Sequence, residues 1–206
     1  MVVRIWGRTN SSNVQKVLWA ADEVGMKYER IDAGGAFGVV KEPKYLAMNP
    51  NALVPTVEDG DLVLWESNTI VRYLAAKYGK STLWIDDPGR RALAEKWMDW
   101  GFTLGGPNGP LFWGYIRTPP DKRDPAALEA ARVKAIELWT IVEAQLANQP
   151  YIAGKEFSIG DIGLGVFVHR WHQFPIERGN LPNLAAYYER LKARPAYAKH
   201  VALPLT

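Results

Sequence analysis

Cysteine is absent from all 206 residues. That removes disulfides, thiolate nucleophiles and zinc–thiolate centres from consideration. The chain also has no apolar run near the ~20 residues that a transmembrane helix needs, so no membrane association is expected. Its opening, Met1-Val2-Val3-Arg4-Ile5-Trp6, lacks the apolar core of a signal peptide and enters a strand-like pattern at once. A cytoplasmic location is the expectation. Basic residues exceed acidic ones by a formal charge of +3, but they are scattered. Without a run of like charge, nucleic acid is not an expected partner. Phosphate loops, dinucleotide fingerprints and paired-cysteine redox motifs are missing too. His169 and His172 share a helical face but have no recognisable third ligand, so a polar surface is expected there and no metal site.

What is present is a balanced globular composition, 48% hydrophobic and 23% charged, which allows a sizeable core without covalent staples. Nine tryptophans are expected mostly in the core or in a pocket wall.

The order of elements suggests two halves. Val2 to Trp6 reads as a buried strand, and a polar loop leads into a helix bearing Val14, Val17, Leu18, Ala21 and Val24, with Gly25 as a left-handed terminator. Tyr28 to Asp32 alternates as a second strand, making a right-handed β-α-β crossover. A glycine-rich loop and a short helix near Lys41 to Met48 follow. Thr56 to Glu58 and Leu62 to Trp65 form a hairpin around Asp59-Gly60, and Ser67 opens a helix that Gly79 ends. The first half is therefore α/β, a mixed four-stranded sheet with helices, over residues 1–78. Residues 79–88 read as a linker, and 89–206 as an all-α helical domain. Within the latter, Leu93, Trp97, Trp100 and Leu104 suggest one buried stripe, which Gly105-Gly106-Pro107 and Pro110 should bend or end. Asp124-Pro125 starts a long helix, Ser158-Ile159-Gly160-Asp161 starts another with Gly160 close to a neighbouring backbone, and Leu184 to Lys192 is expected to be the last.

Three places suit chemistry. Ser11, Ser12 and Asn13 sit at a helix start, where free N–H groups favour an anion and a hydroxyl can donate to a thiolate; taken alone, helix capping is the plainer reading of Ser11 or Ser12. Pro55 stands where a strand begins, and a cis Val54–Pro55 bond would leave the Val54 backbone free to pair with an extended ligand; an ordinary trans proline is the plainer alternative. Glu66-Ser67, at a strand-to-helix junction, suits an α-amino-acid head group, with capping again the alternative.

These features occur in order, together with Lys16-Val17, Asn49-Pro50, Ile70, Tyr73-Leu74, Ser158 to Ile162, Leu181-Pro182-Asn183-Leu184 and Arg194-Pro195. In that arrangement the chain resembles the cytosolic glutathione transferases over nearly its whole length. The absence of cysteine makes it look like their serine-type, theta-like and related bacterial groups. The resemblance implies a thioredoxin-like glutathione-binding domain and a helical domain shaping the pocket of an apolar electrophile. It implies glutathione as co-substrate, no tightly bound cofactor, a homodimer and a role in detoxification. It assigns Ser11 and Asn13 to the sulfur, Val54-Pro55, as a cis-proline turn, to the cysteinyl part, and Glu66-Ser67 to the γ-glutamyl head. Asp99 is implied to reach that head from the partner subunit. Lys41 or Asn51 is the implied holder of the glycyl carboxylate, since Leu53 stands where some classes have a basic residue. Phe102, Trp113, Tyr115 and Trp171 are candidates for the electrophile pocket, together with Trp97 and Phe174. A non-catalytic binding module on the same scaffold is the alternative, because fold alone does not fix function.

Overall fold

A computed structural model describes residues 2–80 and 82–206. Met1, where the first expected domain begins, and Ser81, within the expected linker, lie outside the described residues. The chain divides between Asp86 and Asp87 into two compact units.

In the first unit, β1 (Val3–Trp6), α1 (Ser12–Glu23) and β2 (Tyr28–Ile31) form the expected crossover, and β1 runs parallel to β2. α1 ends because Gly25, at φ 65°, adopts a conformation that side chains resist. Its N–H bonds Asp22 O at 3.1 Å and that of Met26 bonds Ala21 O at 2.9 Å, a doubly closed helix end. After α2 (Pro43–Met48) come β3 (Thr56–Asp59), β4 (Leu62–Trp65) and α3 (Ser67–Tyr78). β3 is antiparallel to both β1 and β4, giving the order β2-β1-β3-β4. Period-two alternation puts Val3 and Ile5 on one face of β1, and both are buried. α1 packs against α3, burying Val14, Val17 and Leu18 of one and Ile70, Val71 and Leu74 of the other. A separate cluster joins Trp6, Ala33 and Tyr45, with Val54 packed against it. The hairpin is tied to α3 through Asp59, which accepts from Tyr73 at 2.7 Å, Lys77 at 2.8 Å and Tyr78 at 2.6 Å. Burial opposes the Asp59 charge, but those donors hold its carboxyl below the usual range.

The second unit is helical. Asp87 caps α4 (Pro88–Trp100) by accepting from Arg90 N at 2.7 Å. A 3₁₀ turn (Gly101–Leu104) leads to α5 (Gly105–Phe112), then a π turn (Trp113–Arg117). Asp124 caps α6 (Pro125–Leu146) through Ala126 N and Ala127 N, both at 3.0 Å. α7 (Ile159–Gln173) begins with the expected capping box, and Asp161 within it is fully buried. Asp161 accepts from Ser158 N, Ile152 N and Tyr187 OH at 2.7–2.9 Å. α8 (Pro182–Lys192) is capped from outside: Glu143 of α6 accepts from Asn183 N at 3.0 Å and Leu184 N at 2.8 Å.

Four expectations for this unit change. The buried face of α4 is Ala94, Trp97 and Met98, and Leu93 is exposed. The cause is α7, whose Gly160 and Gly163 admit the α4 backbone so closely that an added Cβ would lie 2.9 Å from Ala94 O and 2.8 Å from Met98 Cα. α4 itself ends at Trp100, but helical structure continues through Pro107, in the first turn of α5, and Pro110, inside it. α8 is followed by α9 (Pro195–His200). His169 is no surface residue: it is buried, with Nε2 2.7 Å from Leu203 O and Nδ1 2.9 Å from Tyr188 OH.

Candidate active site

A small cleft of about 50 Å³ opens in the first unit, lined by Asn13, Asn49, Asn51, Leu53, Val54, Pro55, Trp65, Glu66 and Ser67. Three stretches distant in sequence meet there: the first turn of α1, the loop before β3, and the junction of β4 with α3.

Ser11 occupies the N-cap position of α1, but its side chain makes no capping bond; its carbonyl accepts from Gln15 N at 2.8 Å and its N–H donates to Arg8 O at 3.3 Å. It is buried and does not line the cleft, whereas Asn13 is exposed and does. Ser67, buried at the start of α3, donates its hydroxyl proton to Asn13 Oδ1 at 3.2 Å.

The Val54–Pro55 bond is cis, and Pro55 directly precedes β3. The loop ahead of it is fixed from beneath by Asn49, an unforeseen participant. Its Nδ2 donates to Leu53 O at 2.9 Å and to Thr56 Oγ1 at 3.1 Å. Its Oδ1 accepts from Asn51 N and Asn51 Nδ2, both at 3.1 Å. The only sequence signal for this role was the position of Asn49 beside Pro50. Asn51 thus spends one amide proton on Asn49 and reaches the cleft only in part. Lys41 is exposed and does not line the cleft, and no cation does.

Glu66 is exposed at φ 72°, a backbone region that favours glycine. Holding a carboxylate there costs conformational energy, a pattern concentrated at functional sites. Trp65, also on the cleft, was read only as the end of a strand. Asp99 lies exposed on α4. Of the proposed electrophile contacts, Trp171 is buried in the helical unit and packs near Trp139, with ring centroids 6.2 Å apart. Tyr115 packs near Phe174 at 6.4 Å, while Phe102 and Trp113 are exposed, the latter at 63%. Trp97 is buried on α4 and Phe174 is buried beside the Trp139–Trp171 pair. Among the described residues, no group of acidic or histidine side chains is arranged to hold a metal.

A β-α-β plus hairpin-helix unit with a cis-proline loop, a helix start and a strained acid converging on one cleft, followed by a helical unit, is the architecture of a thioredoxin-like domain joined to an all-helical one. Family models support this: the glutathione S-transferase N-terminal domain matches residues 1–76 and its C-terminal domain matches 125–190. Glutathione S-transferase GstB of Escherichia coli is 45% identical, over 100% of both chains. Glutathione S-transferase 3 of Zea mays is 31% identical, over 98% of this chain and 95% of its own. A theta class glutathione S-transferase from Xanthomonas axonopodis pv. citri, solved with glutathione bound, superposes with a TM-score of 0.95 at 51% identity, covering 100% of this chain and 99% of that one. The chain belongs to the glutathione S-transferase family, and the catalytic reading stands over the non-catalytic one. Among the described residues no helix is long and apolar enough to cross a membrane.

Proposed function

We propose that the cleft binds glutathione and that the start of α1 stabilises its thiolate for attack on an apolar electrophile. The observation that carries this is the convergence of Asn13, Val54, Pro55, Glu66 and Ser67 on one cleft. Val54 pairs with the cysteinyl backbone as a neighbouring strand would. Glu66 accepts from the γ-glutamyl ammonium, and the first-turn amides of α3, the Ser67 N–H among them, take its carboxylate. Asn13 offers Nδ2, whose amide is oriented by Ser67, and Ser11 offers an uncommitted hydroxyl. Donors to a thiolate favour the charged form and lower its pKa. The sulfur then attacks an electrophilic carbon, and the leaving group departs with the electron pair. Asn51 and Lys41 remain the candidates for the glycyl end.

We also infer a glutathione-binding domain over 1–78, a linker over 79–88 and an electrophile-shaping domain over 89–206, in a cytoplasmic homodimer. Exposed apolar side chains on the edge strand β4 (Leu62, Val63 and Trp65) support a subunit contact. Asp99 then reaches the γ-glutamyl ammonium of the neighbouring subunit. The test is retention on immobilised glutathione, followed by conjugation of a generic aryl halide and sedimentation at micromolar concentration. Failure to bind glutathione sinks the site; a glutathione-binding monomer sinks the role of Asp99.

A further inference from the structure

We propose that Tyr45 is a positioning residue for glutathione: with Asn49 it fixes the Leu53 carbonyl so that the Val54 N–H is presented to the cleft. This rests on the reading that Val54 pairs with the cysteinyl part of the ligand.

Tyr45 lies on α2, 1% exposed, with its ring edge-on to Trp6 at 5.9 Å. Its hydroxyl donates to Leu53 O at 2.6 Å and lies 2.8 Å from Thr56 Oγ1. The proton order of the whole cluster follows from valence. Asn49 Nδ2 has two protons, one for Leu53 O and one for Thr56 Oγ1. The one Tyr45 proton goes to Leu53 O, so Thr56 must donate to the Tyr45 oxygen. No donor is left over, and Tyr45, Asn49 and Thr56 are all buried. A closed buried network of this kind holds a single arrangement. Burial pushes the Tyr45 hydroxyl above its usual range, against the opposing influence of the Thr56 and Asn49 side chains, so it stays a donor.

The consequence for Val54 is geometric. In a trans peptide the C=O of one residue and the N–H of the next point in opposite directions. Leu53–Val54 is such a peptide, since the cis bond is the following one. Two donors pull the Leu53 carbonyl towards the core, so the Val54 N–H is turned away from it, on a residue that lines the cleft. That N–H has no hydrogen-bond partner among the described residues. The buried hydroxyl thereby sets the direction of a donor it never touches.

The experiment measures binding by calorimetry for two thiols that differ only in the cysteinyl carboxamide, which carries the carbonyl in question: γ-glutamylcysteine amide and γ-glutamylcysteamine. Wild type is expected to prefer the amide. Tyr45→Phe, which keeps the ring and its packing, is expected to reduce that preference about three- to tenfold, on the scale of one hydrogen bond. Affinity for γ-glutamylcysteamine stays unchanged, as does turnover at saturating glutathione. Asn49→Ala, removing the other donor to the same carbonyl, lowers the preference in the same way. If wild type shows no preference, the pairing at Val54 is wrong and the proposal falls with it. A preference retained in Tyr45→Phe, or an equal loss for both thiols, overturns the positioning role alone.

Discussion

Ser67 Oγ gives its one proton to Asn13 Oδ1 at 3.2 Å, joining two residues 54 positions apart across the cleft. The contact occupies the acceptor end of the Asn13 amide and leaves Nδ2, the donor end, for a ligand. It also means that Ser67 is already engaged before any carboxylate arrives. That one proton cannot serve Asn13 and a carboxylate together, so the carboxylate falls to the first-turn amides of α3. Ser67→Ala is therefore expected to raise the pKa of the bound thiol by up to about one unit, because Asn13 loses its anchor, and to leave glutathione affinity nearly unchanged. Isothermal titration and a thiolate absorbance titration of the binary complex check both. A change in affinity alone would leave Asn13 independent of Ser67.

The choice between Ser11 and Asn13 follows from placement. Asn13 lines the cleft, and Ser11 does not. Asn13→Ala is expected to raise the bound thiol's pKa by about one unit or more, the range of a single bond to a charged group. Activity should fall near neutral pH and recover as pH rises. Ser11→Ala is expected to shift it less. The same absorbance titration decides, and a larger shift in Ser11→Ala reverses the assignment.

Glu66 combines two opposed effects at one residue. Its φ of 72° costs stability in any residue with a Cβ, and its carboxylate faces the cleft. Glu66→Gly should stabilise the fold by about 1 kcal/mol, through relief of strain, while weakening glutathione. Glu66→Gln keeps the strain and should weaken binding alone. Urea unfolding with glutathione titration separates the two; a destabilised Glu66→Gly would show that the backbone there is not strained.

Much of this was legible before the structure, and for local reasons. The Asp59-Gly60 hairpin and the starts of α6 and α7 depend on residues within one turn of each other. The cis Val54–Pro55 bond followed from the ordered set of motifs and not from its neighbours, because neighbouring residues do not fix the isomer. Side-chain contacts over long separations left no periodic trace: the Asn13–Ser67 bond and the support of Leu53 by Tyr45 were not foreseen. Nor was the face of α4, since Leu93 and Ala94 fit the spacing equally and only the glycines of α7 decide between them. His169 was misplaced because α7 is apolar nearly all round, and such a helix is interior whatever polar residue it carries.

Those α7 glycines give a direct test. An added Cβ on Gly160 would sit 2.9 Å from Ala94 O and 3.1 Å from Ile152 Cγ2, so α4 must move. Overpacking of this kind costs about 1–3 kcal/mol, more than the 0.5–1 kcal/mol roughly gained by replacing a helical glycine. Gly160→Ala should therefore lower stability, while Gly89→Ala, exposed in α4 with Asp87 Oδ1 3.4 Å away, should raise it slightly. Thermal unfolding of the pair checks the signs, and a stabilised Gly160→Ala would mean that α4 and α7 yield easily.

His169 makes stability depend on pH. Burial holds its pKa below the ordinary 6.5, helped by Arg170 and Lys192 and opposed by the Leu203 carbonyl. That carbonyl needs a donor, so Nε2 carries the proton and Nδ1 accepts from Tyr188. His172 is lowered in the same direction, chiefly by burial. Above the ordinary value both folded and unfolded chains hold neutral imidazoles, and the stabilising contribution is complete. As pH falls through that value the unfolded chain takes up protons that the folded one resists, so stability drops. The drop continues to the folded pKa and then levels. Each histidine contributes at most about 1.4 kcal/mol per pH unit in that window. Urea unfolding from about pH 7.5 to about pH 5.5 should show this decline, and His169→Gln should make it shallower. The glutamine amide can still donate to the Leu203 carbonyl but cannot titrate, so the comparison isolates the proton from the hydrogen bond. An unchanged slope would mean that His169 binds protons equally in both states.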